Sequence, residues 1–513
     1  MRVLYGAEAR ELDRWAIERL GIPSLVLMEN AAIALADAVG ERFPEARRVA
    51  IFCGPGNNGG DGFALGRQLV TRGYDVELLL AAFGRPLAND CSRQFEICQA
   101  LGLELVELDG EWRSTAKSAL AADLVVDALF GTGLTRALLP PWSELVEVLS
   151  AGRAPILAVD LPSGLDASSA RPPGVAVRAT LTVTFAAPRV AHVLPPAADS
   201  VGELAVADLG VPFELSPCSE GALFLREPRE LARFLTPRAV DAHKGDFGSV
   251  LLVSGSRGMA GAAILAARAA LVSGAGKVTI AAVSELADAI LSAVPEAMLL
   301  PLPGSPGGSL SDEAVPTLLE SMARFDVMGI GPGLGLEAGT ARLVRRMVAE
   351  FPGSVVLDAD GLNAFSGDAA ALRPRRAPTV LTPHPGELGR LLTLLTAEVQ
   401  DDRLAAVLRA AAETGAVVVL KGHRTLVARP GGEVGIHAAG NPGMASAGAG
   451  DVLTGVLAAR LAQGDDAPIA ADLAVHLHGS AGDLALAGGW GPAIPAGVLI
   501  DHLPRAFDEL ERA

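Results

Sequence analysis

At 513 residues the chain is longer than one hydrophobic core, so two or more domains are expected. Half of the residues are apolar, yet no apolar run approaches the roughly 20 residues that span a membrane, and the charged start MRVLYGAEARELDRW lacks the apolar core of an export signal. A net charge of −17 argues against nucleic acid as a bulk partner and requires local donors for any polyanionic ligand.

The four cysteines, Cys53, Cys91, Cys98 and Cys218, form no CxxC pair. Neither a disulfide framework nor a zinc site is supported, and a cytoplasmic enzyme is expected. Lysine occurs only at Lys117, Lys244, Lys277 and Lys421 in an otherwise arginine-rich chain. Such positions suit a compact ammonium.

Residues 1–47 read as two helices. The first carries an apolar stripe at Leu12, Trp15, Ala16 and Leu20 and closes at Gly21-Ile22-Pro23; the second is Ala-rich and begins near Asn30. A strand over 48–53, the loop GPGNNGGDG at 54–62 and a helix over 63–72 follow. Strand, Gly-rich loop and helix form the first turn of a doubly wound sheet, where ligands sit at the strands' carboxyl ends. The loop is not GxGxxG. Its Asn57, Asn58 and Asp61 supply side-chain oxygens that suit a hard cation as well as ribose or phosphate. Of the next strands, over 75–80, 123–127 and 156–160, the last two end in Asp127 and Asp160 and open into ALFGTGLTR and LPSGLD. Asn58, Asp127, Asp160 and Ser163 are thereby expected in one crevice.

Taken in order, ENAA, GPGNNGGDG, VDALFGTGL and DLPSGLD resemble the NAD(P)H-hydrate epimerase domain over roughly residues 1–215. The resemblance implies a Rossmann-like, three-layer α/β fold and a potassium ion held by Asn58, Asp127 and Ser163. It also implies that Asn57, Asn58, Gly59, Gly60 and Asp61 contact the substrate. Gly131, Thr132, Gly133, Leu134, Thr135, Arg136, Ala137 and Asp160 join them. In a hydrated nicotinamide the hydroxyl sits on the carbon beside the ring nitrogen. The nitrogen lone pair expels it, and water returns on either face. That exchange needs an acid/base, for which Asp160 is the candidate.

The stretch DLGVPFELSPCSEG at 208–221 places a boundary near residue 220, separating domains at 1–218 and 222–513. Beyond it, strands over 249–253, 277–281, 327–330, 355–357, 379–381 and 417–421 alternate with helices, which argues a mostly parallel sheet. His384 lies between two prolines, so it is excluded from a helix interior or central strand and falls at a strand's carboxyl end. Lys421 ends the apolar run VVVLK, where a charge requires a partner. Lys421 and Thr425 are placed to reach a nucleotide phosphate, and Asp358 and Asp360 are candidates to hold Mg2+ directly or through water. Finally, GNPGMASAGAGDVLTG at 440–455 is a Gly-rich turn feeding a helix N-terminus. Its amides and the helix dipole make a phosphate seat. Asp451, on the first turn, suits deprotonation of an attacking hydroxyl.

HKGDFG, SGSRGMAGAAIL, GIGPGLG, LDADGLNAF, LTPHPGE, VVLKGHRT and this last loop resemble, in that order, the ribokinase-like NAD(P)H-hydrate dehydratase. The resemblance implies that Ala262, Gly333, His384 and Asp451 contact the hydrate. It assigns ADP, with Mg2+, to Lys421, Gly422, His423, Arg424, Thr425 and Gly450. One departure stands out. Ser446, Ala447 and Ala449 occupy places where that family usually has threonines and a further glycine, so phosphate must be held mainly by backbone donors. The expected function is repair of hydrated NADH and NADPH by a homo-oligomer with no nucleic-acid or membrane partner. The N-terminal domain would epimerise the R and S hydrates. The C-terminal domain would dehydrate the S form with ADP, giving AMP and phosphate. Two alternatives stay open: a ribokinase-like kinase for a vitamin or thiazole alcohol, and an N-terminal half that only binds ligand or protein and regulates the kinase-like half.

Overall fold

Short apolar runs alternating with helical stretches build two sheets, one in each half of the chain. The computed structural model describes residues 1–373 and 375–513, and the chain divides into the units Met1–Gly221 and Ala222–Ala513. Among the described residues no helix is long and apolar enough to cross a membrane.

The first unit holds seven strands: β1 (Arg48–Cys53), β2 (Asp75–Leu80), β3 (Leu105–Glu107), β4 (Leu124–Ala128), β5 (Ile156–Val159), β6 (Leu181–Phe185) and β7 (Glu203–Ala207). They lie in the order β3-β2-β1-β4-β5-β6-β7, and every neighbouring pair is parallel. Both faces are covered, as a parallel sheet requires. On one face Val49, Ile51 and Cys53 pack with Leu35 of α2 (Ser24–Arg42) and Phe63 of α3 (Asn57–Thr71). On the other, Ala50 and Phe52 pack with Trp112, Leu145 and Leu149. The order reverses between β1 and β4, so the loops that follow them part there and open a crevice.

Two helix starts differ from expectation. The helix α2 begins at Ser24, not near Asn30, because Pro23 at its N-cap presets the entry. The helix α3 begins at Asn57, inside the Gly-rich stretch, rather than at residue 63. Glycine's poor helix propensity points to a loop, but close packing overrides it. A Cβ on Gly59 would stand 1.8 Å from the Gly54 carbonyl oxygen, and one on Gly60 would stand 2.7 Å from Met28 Cε. At Gly59, which faces a backbone oxygen, only a residue without a side chain lets this turn of helix sit there.

The second unit contributes β8 (Leu223–Leu225), β9 (Ser249–Val253), β10 (Lys277–Val283), β11 (Met298–Leu302), β12 (Val327–Ile330), β13 (Ser354–Leu357), β14 (Thr379–Leu381), β15 (Val417–Leu420), β16 (Leu426–Ala428) and β17 (Val434–Ile436). Their order is β11-β10-β9-β12-β13-β14-β15-β16-β17-β8. Seven strands from β9 to β15 run parallel, and β16 is antiparallel to both its neighbours. The helices that matter for the site are α4 (Ala260–Val272), α5 (Pro385–Leu392), α6 (Ala449–Ala462) and α7 (Ala467–Ala487). Buried Ala263, Ala266, Ala267 and Ala270 keep α4 thin enough for α6 to lie directly against it.

Candidate functional sites

In the first unit a cavity of about 950 Å³ opens at the switch point. Asn57, Asn58, Asp61, the whole run Gly131–Ala137 and Asp160 line it. Gly59 and Gly60 are not on its wall; they serve the close packing of α3. Asp127 and Ser163 are fully buried and lie behind the wall. The Asp127 carboxylate accepts from the Ser163 hydroxyl at 2.6 Å and the Ser163 N–H at 2.8 Å. Burial pushes its pKa up to about 6, against the pull of these hydrogen bonds.

Asp160 follows β5 with φ of 62°, a left-handed conformation that costs a residue with a side chain. Its surroundings hold it there. Its N–H donates to the Val183 carbonyl at 2.9 Å. The Arg189 N–H donates to His192 Nδ1 at 2.9 Å, so the His192 proton sits on Nε2, which donates to the Asp160 carbonyl at 2.8 Å. Burial lowers His192 to about 4, with the Asp160 charge opposing, and keeps it neutral for this role. The Asp160 side chain accepts from Thr184 Oγ1 at 2.9 Å and lies 3.5 Å from the Arg189 guanidinium. Its other oxygen points toward Gly131, where a Cβ would stand 3.2 Å from both Asp160 Oδ2 and Asn58 Oδ1. Asn58 Nδ2 is buried and has no hydrogen-bond partner among the described residues. Asn58 Oδ1, with the carboxylate and hydroxyl oxygens of Asp127 and Ser163, makes an oxygen-rich donor set that fits a hard monovalent cation.

The sequence reading missed Asp13 and Arg189, which also line this cavity. Asp13 lies on α1 (Gly6–Arg14), beside the apolar stripe. It is crowded by protein yet open to the cavity, and desolvation lifts it to about 6, with Arg189 opposing and Asp160 adding. Asp61 rises further still, by burial first and then by the charges of Asp160, Asp13 and Asp90. No periodicity announces such a role; it depends on α1 reaching the sheet edge.

In the second unit the polar side chains gather at the ends of β13, β14 and β15 and the start of α6. Lys421 Nζ donates to Asp358 Oδ1 at 2.8 Å and lies 3.5 Å from Glu387 Oε2. Burial disfavours the ammonium, but Asp358 and Glu387 outweigh it and hold its pKa above the ordinary lysine value. The second Asp358 oxygen accepts from Thr454 Oγ1 of α6 at 2.8 Å. Asp360 accepts from the Gly335 N–H at 2.9 Å and from Asn363. Both carboxylates are therefore committed to protein donors. Direct ligation of Mg2+ by Asp358 is not what this arrangement serves. Between them Ala359 adopts φ of 48°, a strained turn that sets the two acids apart.

His384 is the N-cap of α5 and accepts from the Gly386 N–H at 3.0 Å through Nδ1. Its Nε2 therefore carries the proton. Its pKa is lowered, first by burial, with Glu387 opposing. Gly450 and Asp451 form the first turn of α6; a Cβ on Gly450 would stand 3.5 Å from Lys421 Nζ. Asp451 rises to about 7, chiefly through burial, with Asp358 adding and Lys421 opposing. Ala262 and Gly333 meet each other, 3.0 Å separating the Ala262 Cβ from a Cβ built on Gly333. In the phosphate-seat loop Ser446 Oγ donates to the Ile494 carbonyl at 2.6 Å, so its hydroxyl anchors the loop. Asp483 of α7 secures the loop's start, accepting from the Gly440 N–H and Asn441 Nδ2. Lys421–Thr425 follow β15 directly, the Lys421 N–H donating to the Pro383 carbonyl.

A family model described as NAD(P)H-hydrate dehydratase matches residues 250–505. One described as YjeF-related protein N-terminus matches residues 24–191. A Moorella thermoacetica protein described as a bifunctional NAD(P)H-hydrate repair enzyme is 42% identical, the match covering 100% of this chain and 97% of that protein. An Escherichia coli protein of the same description is 36% identical over 94% of this chain and 89% of its own. A solved Bacillus subtilis structure, described as ADP/ATP-dependent NAD(P)H-hydrate dehydratase co-crystallized with ATP/Mg2+, is 30% identical with a TM-score of 0.49, covering 56% of this chain and 98% of that one. With both halves matched in order and relatives alike over their full length, the chain belongs to the family of bifunctional NAD(P)H-hydrate repair enzymes.

Proposed function

We propose that each unit carries one step of NAD(P)H-hydrate repair in its own site. The likeness to whole relatives runs through both halves, which sets aside a small-molecule kinase with a regulatory N-terminal domain. In the first unit Asp160 exchanges a proton with the C6 hydroxyl of the hydrated ring while the ring nitrogen's lone pair expels it. The run Gly131–Ala137, with Asn57, Asn58 and Asp61, holds the substrate across the crevice. Potassium, held by Asn58, Asp127 and Ser163, would supply a fixed positive charge beneath that crevice.

In the second unit Asp451 takes the proton of the C6 hydroxyl as its oxygen attacks the β-phosphorus of ADP, and the bond to AMP breaks. The amides at the start of α6 face the moving charge, and Lys421 adds its ammonium from below. His384, Ala262 and Gly333 hold the hydrate, and the turn Gly422–Thr425 holds the nucleotide. Mg2+ would ride on the nucleotide phosphates, since Asp358 and Asp360 are engaged by protein donors. The phosphate ester then leaves as inorganic phosphate, driven by the ring nitrogen. A proton departs from C5, and the dihydropyridine returns.

The observation that carries this reading is Asp451, a carboxylate at a helix N-terminus whose burial brings its pKa to about 7. A general base poised there works near neutral pH. In the Asp451→Asn variant, ADP-driven dehydration of the S hydrate is expected to fall by about 10²–10⁴, while interconversion of the epimers continues at the wild-type rate. Simultaneous loss of both activities would refute the assignment of one step to each unit.

A further inference from the structure

The N-terminal cavity is bounded by acids on two walls. Asp160 and Asp61 stand on the wall made by the sheet's carboxyl edge and the first turn of α3; Asp13 stands on the wall made by α1. This second wall is not a mobile flap. Leu4, just before α1, bridges to Arg189 in parallel fashion and donates to the Pro188 carbonyl at 2.8 Å. Ala9 and Leu12 on α1 pack with Leu4, Ala187 and Cys218. The helix bearing Asp13 is thereby fastened to the segment that carries Arg189. The Arg189 guanidinium lies 3.5 Å from Asp160 Oδ1, its charge acts on Asp13, and its buried Nε has no hydrogen-bond partner among the described residues. Arg189 thus stands beside Asp160, and its charge also reaches Asp13.

We propose that Asp13 is the second proton-handling residue of epimerisation, serving the ring face opposite the one that Asp160 serves. The inference rests on the reading of this cavity as the epimerisation site. Inversion at C6 needs two proton transfers on opposite faces. One carboxyl group gives its proton to the C6 hydroxyl; the C–O bond breaks with the electron pair leaving on oxygen, and water departs. The ring nitrogen's lone pair forms the C=N bond of the iminium. A second water adds to C6 from the other face, and its proton goes to the opposing carboxylate. Nothing is oxidised or reduced, and the proton has moved from one wall to the other. The enzyme is then primed for the reverse epimer. The pKa of Asp13, lifted to about 6, places it within reach of both protonation states. Asp61 lies on α3, and burial, then the charges of Asp160, Asp13 and Asp90, raise its pKa well above the ordinary carboxylate value.

The test uses the full chain without nucleotide, each pure hydrate epimer, and 18O-labelled water. Inversion is followed by separating the epimers and exchange by mass. The wild type is expected to invert and exchange from either epimer. In Asp13→Asn inversion should fall by about 10²–10⁴, while one epimer still exchanges its hydroxyl with retention through Asp160. In Asp160→Asn the other epimer alone should exchange with retention. Wild-type inversion by Asp13→Asn, or loss of exchange from the same epimer in both variants, would overturn the proposal. A wild type that neither inverts nor exchanges would overturn the reading of the cavity itself. If Asp13→Asn melts below the assay temperature, Asp13→Ser is read for the same pattern.

Discussion

Two ionisable side chains in the second unit respond to burial in opposite ways. Lys421 keeps its charge because Asp358 and Glu387 compensate for the lost water. Among the described residues no cation stands at hydrogen-bonding distance from Asp451, and burial lifts it to about 7. The sign of its effect follows. Below that value the folded chain holds a proton on Asp451 and the base is missing; above it the carboxylate is free to accept. The kcat/KM for dehydration is therefore expected to fall about tenfold per unit below about pH 7 and to level off above it. Stability moves the other way. Between the unfolded value of 3.8 and about 7 the folded chain retains a proton that the unfolded chain has shed, so this residue makes stability decline as pH rises through that window. A pH profile of kcat/KM that is flat from about pH 5 to 8 would remove Asp451 from the role of base. The residue scale also shows what an isolated sequence hides. Asp358 was readable as an acid at a strand end, but not as the partner of Lys421 and Thr454. Ser446 was readable as a hydroxyl in a phosphate loop, but not as a donor committed to Ile494.

At the scale of elements, the turn from β1 into α3 shows why strand ends were easier to read than helix starts. Apolar runs that end at a glycine-rich loop or at an acid mark a buried parallel strand whatever packs around it, so β1, β4, β5, β9 and β12 were recognisable. Strands β3, β8, β16 and β17, of three residues each, are too short to show a period and exist because pairing partners lie alongside, whereas the equally short β14 is marked by the TPHPGE loop that follows it. Helix α3 is similar, since its first turn is glycine-rich against propensity and is stabilised by what it touches. Gly59 tests this. Its Cβ would stand 1.8 Å from a backbone oxygen, which no side-chain rotation relieves. Gly59→Ala is expected to cost about 1–3 kcal/mol or more of stability in the first unit. It should also displace Asn57 and Asn58 from the cavity wall, reducing epimerisation while dehydration persists. A melting curve and an epimerisation rate both equal to wild type would contradict the close approach.

At the scale of the whole chain, the two units have separate sheets and separate acids, yet their chemistry converges on one ring carbon. The dehydration step consumes one epimer, and the first unit replenishes it from the other. With a net charge of −17, the proposed sites would depend on local donors: Arg189 in the first unit's cavity, Lys421 and the α6 amides in the second unit. The division of labour has a direct readout in the recovery of dihydropyridine absorbance from an equimolar mixture of the two hydrates with ADP and Mg2+. The wild type should convert the mixture completely. Asp160→Asn should stop at about half, because the epimer that dehydration rejects is no longer replenished, and specificity resides in the second site. Asp451→Asn should recover almost nothing. Mixing the two variants should restore complete conversion, because the epimerised hydrate can diffuse from a chain with intact Asp160 to one with intact Asp451. Complete conversion by Asp160→Asn alone, in the time the wild type needs, would mean that this residue does not drive the exchange. Failure of the mixed variants to exceed half would mean that the hydrate must pass between sites within a single chain.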